Sequence, residues 1–350
     1  MPARPALGSR LMRRVPAPTR AAPTRPLPPL RVLRIGGAGP EDVVVDTAGR
    51  VLTGTGDGRI RRITLPGPRS GATVEEIART GGRPLGLEAL PDGRLLVCDA
   101  ERGLLRVTPE AAGSVEVLAD SVAGAPLRFC SNAAAAADGT VYFTASSLRY
   151  GLHAWQADIT EHSGTGRLLR LVPGGEPEVL LDDLQFANGV VLAADESYVA
   201  VAETGAYRLT RLWLTGPRAG TRDTLIDDLP GFPDNLSRSA TGTIWTALAS
   251  PRMAPLEWLH RAPTRVRRGA AAAAVRLRPP PSRVARVMGI DAGGSVTHDL
   301  RRRGTGYRMV TSAYEHEGTL ILGSLLEAGI ALCELPSAVP AEDGREKTVS

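Results

Sequence analysis

Six short stretches of this chain repeat one arrangement of side chains: GPEDV, RPLGL, FCSNA, FANGV, FPDNL and RMVTS. Aligned on the turn that follows each, they put Glu41, Leu85, Ser131, Asn188, Asp234 and Val310 at one equivalent position. Four of the six are polar, two of them carboxylates, and Asn132 and Asn235 follow one residue later. Carboxylates and carboxamides are hard oxygen donors. Converging on one point they suit Ca²⁺ or Mg²⁺, with neutral amides completing the ligand number. Imidazole and thiolate are missing from the set, which argues against zinc or copper. Taken singly, each residue reads as a strand-end cap or a partner for neighbouring backbone. The shared register favours a metal site built from Glu41, Asn188 and Asp234.

The elements that must carry these residues are repeated hairpins. An apolar run, a small acidic or glycine turn and a second apolar run recur as VVVDTAGRVLTG, LEALPDGRLLVCD, AAAADGTVYFT, VVLAADESYVAVAE, LSRSATGTIWTAL and SAYEHEGTLILGS. The turn residue is Gly49, Gly93, Gly139, Glu196, Gly242 or Gly318. Each reads as a β-hairpin. A third strand follows in GRIRRITL, GLLRVTP, GRLLRLVP, YRLTRLWL, GSVTHDL and GIALCEL, and runs such as VEVLAD and PEVLLDD supply a fourth. Most intervals are about 45 residues, the length of a four-stranded propeller blade. The expected fold is all-β: a six-bladed propeller of four-stranded antiparallel blades around a central channel. The equivalent position opens the innermost strand of each blade and faces that channel. LRVLRIGG, before Gly36, joins the last blade and closes the ring.

The expected domain spans 31–336, with insertions at about 147–163 and 252–290. The second insertion, partly helix-compatible, covers one face of the disc. Residues 1–30, rich in Arg, Pro and Ala, read as a disordered basic arm, and 337–350 as a tail. The arm lacks the apolar centre of a signal peptide, so the expectation is a cytoplasmic protein. No apolar stretch approaches the roughly 20 residues that span a bilayer, so no membrane partner is expected.

The net charge of +5 rests almost wholly on arginine, the single lysine being Lys347. That leaves no phosphate-loop or Schiff-base lysine. The arm and Arg252–Arg286 are two basic blocks on either side of a balanced body, which reads as solvated loops and not as a nucleic-acid surface. Cys98, Cys130 and Cys333 have no metal-type spacing and read as buried thiols. No serine-nucleophile elbow is present.

Colinear motifs over residues 31–336 carry a family resemblance: GPEDVVVD, GRPLGLE, FTASSLRY, FANGVVLAADES, VAETGAYRLTRLWL, LPGFPDNL and EHEGTLILGSLLEAGIALCEL. Together they resemble the strictosidine-synthase-like family, within the superfamily of paraoxonases and senescence-marker gluconolactonases. The resemblance implies a six-bladed propeller holding calcium or a related divalent ion in its channel, on Glu41, Asn188 and Asp234. Asn235 lies beside them, and the remaining ligand is Ser131 or Asn132. It also implies that Asp234 can serve as a catalytic base. Three departures stand out. No histidine occurs at Pro84–Leu85, where paraoxonases carry a catalytic one. The stretch RMVTSAY lacks the glutamate that strictosidine synthases use. Ala145 replaces an aspartate in FTASS.

The insertion around GLHAWQADITEHSG reaches over the channel mouth, which makes His153 a candidate general base. Leu85, Tyr150 and Tyr207 are candidate substrate contacts. The reading is a divalent-metal-dependent hydrolase of a small ester or lactone, with a small molecule as its only expected partner. Its rivals are an amine–aldehyde condensing lyase, disfavoured by the missing glutamate, and a non-catalytic propeller that metal merely rigidifies.

Overall fold

The computed structural model describes residues 22–67, 70–110, 113–275 and 281–335. Six blades of four antiparallel strands form a closed ring, blade 5 carrying a further short parallel strand at its outer edge. Their first strands are Val43–Val45, Pro84–Ala89, Cys130–Ala135, Ala187–Leu192, Gly231–Arg238 and Val310–His316. Each touches the corresponding strand of the next blade, and the last touches the first. These strands therefore line the channel. Arg31–Arg34 pairs antiparallel with Gly329–Glu334 and supplies the outer strand of blade 6, closing the ring as expected.

The sequence explains each strand's layer. Second strands lie between two sheet neighbours and two blade faces, and they read as unbroken apolar runs. Leu95–Asp99 and Tyr198–Glu203 are buried throughout. Outer strands such as Thr73–Arg79 alternate and carry charge. Arginines on the third strands, where the sequence places them, stand opposite carboxylates of the fourth. Arg62 pairs with Glu75 at 2.6 Å, Arg106 with Glu116 at 2.6 Å and Arg211 with Asp223 at 2.9 Å. Such exposed cross-strand pairs contribute about 0.2–1 kcal/mol each.

All six turn residues have positive φ, from 53° at Glu196 to 86° at Gly242. This left-handed conformation is what the glycines supply. Glu196 adopts it too, and its carboxylate accepts a 2.7 Å bond from the Ala137 amide of the neighbouring blade.

Two expectations need correction. In blade 5 the third strand is Val284–Ile290, and GSVTHDL belongs to the fourth strand, Val296–Arg303. The β-branched run VARVMGI ends the insertion earlier than 290. The arm also ends earlier than 30. Arg25–Pro26 pairs in parallel with blade 5 and Leu27 is fully buried. Residues 1–21 and the tail 337–350 lie outside the described residues.

Strands alternate in direction, so the loops between second and third strands return to the face where the inner strands begin. Both insertions are such loops. The blade 3 loop forms helix α1 (Trp155–Glu161). The blade 5 loop forms α2 (Ala254–His260) and α3 (Thr264–Ala274). Helix α1 packs against both α2 and α3. Among the described residues no helix is long and apolar enough to cross a membrane.

Candidate metal and active site

The inner strands carry the polar residues into the channel at irregular points of their pairing. Register shifts fall at Pro84/Leu87, Cys130/Ala133, Ala187/Val190, Pro233/Leu236 and Val310/Ser312. Such bulges re-aim side chains. Here they span the residues from the equivalent position onward. Close approach of the strands demands glycine at the next position in two blades. A Cβ on Gly86 would lie 2.5 Å from Asn132 Cα, and one on Gly189 would lie 2.3 Å from the Leu236 nitrogen.

The structure brings Glu41, Ser131, Asn132, Asn188, Asp234 and Asn235 into one buried network. Asn188 Nδ2 donates to Asp234 Oδ1 at 2.6 Å, and Ser131 Oγ donates to Asn188 Oδ1 at 3.2 Å. Asn235 Nδ2 donates to Glu41 Oε1 at 3.0 Å, and Asn132 Nδ2 donates to Asn235 Oδ1 at 3.1 Å. Asp42, which the sequence reading passed over, joins this layer. It accepts from the Leu87 amide at 3.0 Å and from Asn132 at 3.2 Å, so it ties blades 1, 2 and 3 together. The signal was available: Asp42 stands one residue after Glu41, as Asn132 stands after Ser131 and Asn235 after Asp234.

Three buried carboxylates share this space with little positive charge, and their acidities respond. Burial pushes Glu41 well above the ordinary range, and the charges of Asp234 and Asp42 add to the rise. Burial raises Asp234 to about 8 against the opposing hydrogen bond from Asn188. Burial raises Asp42 to about 7. Glu41 Oε2 is buried without a hydrogen-bond partner. A buried polar atom left unpaired costs about 1–3 kcal/mol.

These observations fit a hard divalent cation. The donor set is oxygen-rich, one carboxylate oxygen is free, and the three carboxylates have only the buried Arg83 guanidinium to offset part of their charge. Glu41, Asp234 and the Asn188 amide oxygen would hold the ion. Rotating the Asn188 amide by half a turn presents Oδ1 where Nδ2 now stands. Among the described residues no three His, Cys, Asp or Glu side chains converge as a metal cluster by themselves, so amide ligands have to complete the shell.

Above the ring lies an apolar cap. Leu85 is buried there with Phe129, Phe186, Phe232 and Tyr207, and Leu152, Trp155 and Leu256 of the insertions pack on the same cluster. Phe129 and Phe186 meet edge to face at 5.4 Å, both at positive φ. Such backbone is uncommon for an aromatic residue and gathers at functional sites. The three phenylalanines each stand two residues before the equivalent position, a regularity present in FCSNA, FANGV and FPDNL.

The other candidates divide. Leu85 and Tyr207 belong to the cap. Tyr150 donates to Glu161 Oε2 at 2.5 Å and serves the insertion. His153 is not brought to the network: its side chain is 92% exposed and lies 3.8 Å from Glu101. It stands in a short 3₁₀ turn before α1 that projects from the surface. The three cysteines are free and buried. A cleft of about 930 Å³ between blades 2 and 3 opens at the opposite face, beside Pro91 and Gly139, and none of the candidate ligands lines it.

Comparison with known proteins agrees with this architecture. A family model described as strictosidine synthase matches residues 133–217, and one described as the N-terminal part of strictosidine synthase-like proteins matches residues 27–63. The adipocyte plasma membrane-associated protein of Mus musculus is 34% identical over 327 residues, covering 86% of this chain and 76% of that one. A gluconolactonase structure from Xanthomonas campestris superposes with a TM-score of 0.62 at 17% identity, covering 88% of this chain and 89% of that one. The calcium-binding protein regucalcin from Agrobacterium tumefaciens superposes at 0.58 with 15% identity, covering 89% and 94%. At these identities the two structures show the shared fold.

Proposed function

This chain belongs to the strictosidine-synthase-like family, and from that premise we propose that it is a divalent-metal-dependent hydrolase of a small ester or lactone. The observation that carries the proposal is the unpartnered, buried Glu41 Oε2 beside Asp234 and Asp42. Three carboxylates buried together are costly for a channel to keep unless a cation or a proton-transfer task requires them. Two fold neighbours, a gluconolactonase and a calcium-binding protein, support the same reading.

Glu41, Asn188 and Asp234 would hold the ion, with Ser131, Asn132 and Asn235 orienting them. A bound divalent cation supplies Lewis acidity, polarising the ester or lactone carbonyl and stabilising the oxyanion. Asp234 removes a proton from the attacking water as its oxygen adds to the carbonyl carbon. The acyl–oxygen bond then breaks, and that proton passes to the leaving alkoxide. The apolar cap excludes bulk water and receives the substrate's hydrocarbon part.

The burial of the ligand set beneath that cap favours one second reading, a binding propeller in which the ion only rigidifies the ring. Steady-state assays with aryl esters and lactones, with and without chelator, separate the two. Chelator-sensitive turnover supports hydrolysis. A calcium-dependent rise in melting temperature without any turnover supports the binding propeller.

A further inference from the structure

We infer that Tyr207 reads the substrate through its hydroxyl, donating a hydrogen bond to a second oxygen on the ester or lactone. The inference rests on the hydrolase reading and narrows its substrate class to oxygen-bearing esters or lactones with an apolar body.

Tyr207 closes the short 3₁₀ turn Thr204–Ala206 on the face where the inner strands begin. That turn is bound to the channel: Thr204 Oγ1 donates to the Pro233 carbonyl, next to Asp234, at 2.7 Å. The Tyr207 backbone is left-handed, with φ 56°. Its own carbonyl accepts from the Leu229 amide at 2.9 Å, so the unusual conformation is fixed from both sides. The ring is 3% exposed. It packs 4.9 Å from Phe232, two residues before Asp234, and lies under the Arg252 guanidinium at 4.4 Å. Arg252 is itself held by the Leu229 carbonyl at 2.8 Å and by Asp228 at 2.7 Å.

The hydroxyl, by contrast, is buried and has no hydrogen-bond partner. The Thr204 and Gly205 amides and the Thr204 hydroxyl of this turn are all bound, so the phenol is a donor set in place without an acceptor. Burial and the nearby Glu257 carboxylate keep it protonated. A phenol packed between aromatic and guanidinium faces at the mouth of a catalytic channel selects a ligand acceptor, because a ligand lacking one leaves the donor unpaired.

The test uses the full-length, calcium-loaded protein and its Tyr207→Phe variant. The probes are δ-valerolactam and its ring-hydroxylated and ring-oxo derivatives, inert counterparts of lactones, measured by calorimetry. Tyr207→Phe is expected to melt at or above the wild-type temperature, since the deleted hydroxyl has no bond to lose. It is expected to bind an oxygenated lactam about 10- to 100-fold more weakly than wild type and the parent lactam equally. A lower melting temperature shared with Glu257→Gln would mean that the hydroxyl is bonded to Glu257 in solution, and would overturn the inference. So would a probe set in which no member prefers wild type. Turnover of the parent lactones is measured alongside. Tyr207-dependent binding without turnover counts against hydrolysis and leaves the recognition role standing.

Discussion

Asn188 Nδ2 lies 2.6 Å from Asp234 Oδ1, joining the inner strands of blades 4 and 5 through a buried hydrogen bond. Replacing Asn188 with Ala leaves the Asp234 carboxylate without this donor. The ion-free protein should lose about 1–3 kcal/mol of stability. The rise in melting temperature that calcium gives wild type should shrink or vanish. Thermal unfolding with and without calcium measures both. An undiminished calcium effect in the variant would remove Asn188 from the ligand set.

Stability and cation affinity should move oppositely with pH. Asp234 titrates at about 8 in the folded, ion-free protein and Glu41 is raised as well, whereas unfolded carboxylates titrate near ~4. Between those values the folded state binds more protons than the unfolded chain. Ion-free stability therefore falls as pH rises from about 4 to about 8. Cation binding needs the deprotonated groups, so calcium affinity rises over the same window. Urea unfolding in chelator and calcium titration at several pH values check the two slopes. A calcium affinity independent of pH would show that these carboxylates are not the ligands.

The close approach at Gly86 and Gly189 gives a steric prediction. A methyl group at either position meets the backbone of the next inner strand, at 2.5 Å and 2.3 Å. Gly189→Ala should cost about 1–3 kcal/mol or more through strand displacement and weaken calcium binding with it. Gly151→Ala is the comparison: like Gly189 it has no positive φ, yet a Cβ there meets nothing within 4 Å, so the effect of a methyl group without crowding is measured. Equal effects at the two positions would argue against crowding in the channel.

The cap helices should be released by breaking one buried carboxylate. Glu161 accepts from Tyr150 at 2.5 Å and from Arg268 of α3 at 3.1 Å, and lies 3.2 Å from Arg149. His162, which follows it, stacks on His260 of α2 at 4.3 Å. Glu161→Gln should speed proteolytic cleavage within 252–275 several-fold while circular dichroism of the strands stays unchanged. Unaltered cleavage would mean that the stacked histidines and apolar contacts suffice.

The ring was legible in the sequence because its signals are local and repeated. Turn chemistry recurs at Gly49, Gly93, Gly139, Glu196, Gly242 and Gly318, and counting back from it finds Glu41, Asn188 and Asp234 without knowledge of tertiary contacts. Asp42 escaped because only the first position of each strand was weighed as an aligned set. His153 misled because a loop over the mouth was expected to point inward, and the direction of a loop side chain depends on packing that local pattern does not encode. Blade 5 misled in its third strand for a similar reason: a long helical insertion separates VARVMGI from its hairpin partner, breaking the spacing that revealed the others. The role of arginine followed from pairing. Only the strand register shows Arg62 facing Glu75 and Arg106 facing Glu116.

The central claim is that Glu41, Asn188 and Asp234 hold one divalent cation in the channel. Calorimetric titration of calcium into the chelator-treated full-length protein tests it most directly, with Glu41→Gln beside wild type. The account predicts one site per chain in wild type and at least about 100-fold weaker binding in Glu41→Gln, the strand signal in circular dichroism being kept. A wild type that binds neither calcium nor magnesium, or a Glu41→Gln variant that binds as tightly as wild type, would contradict it.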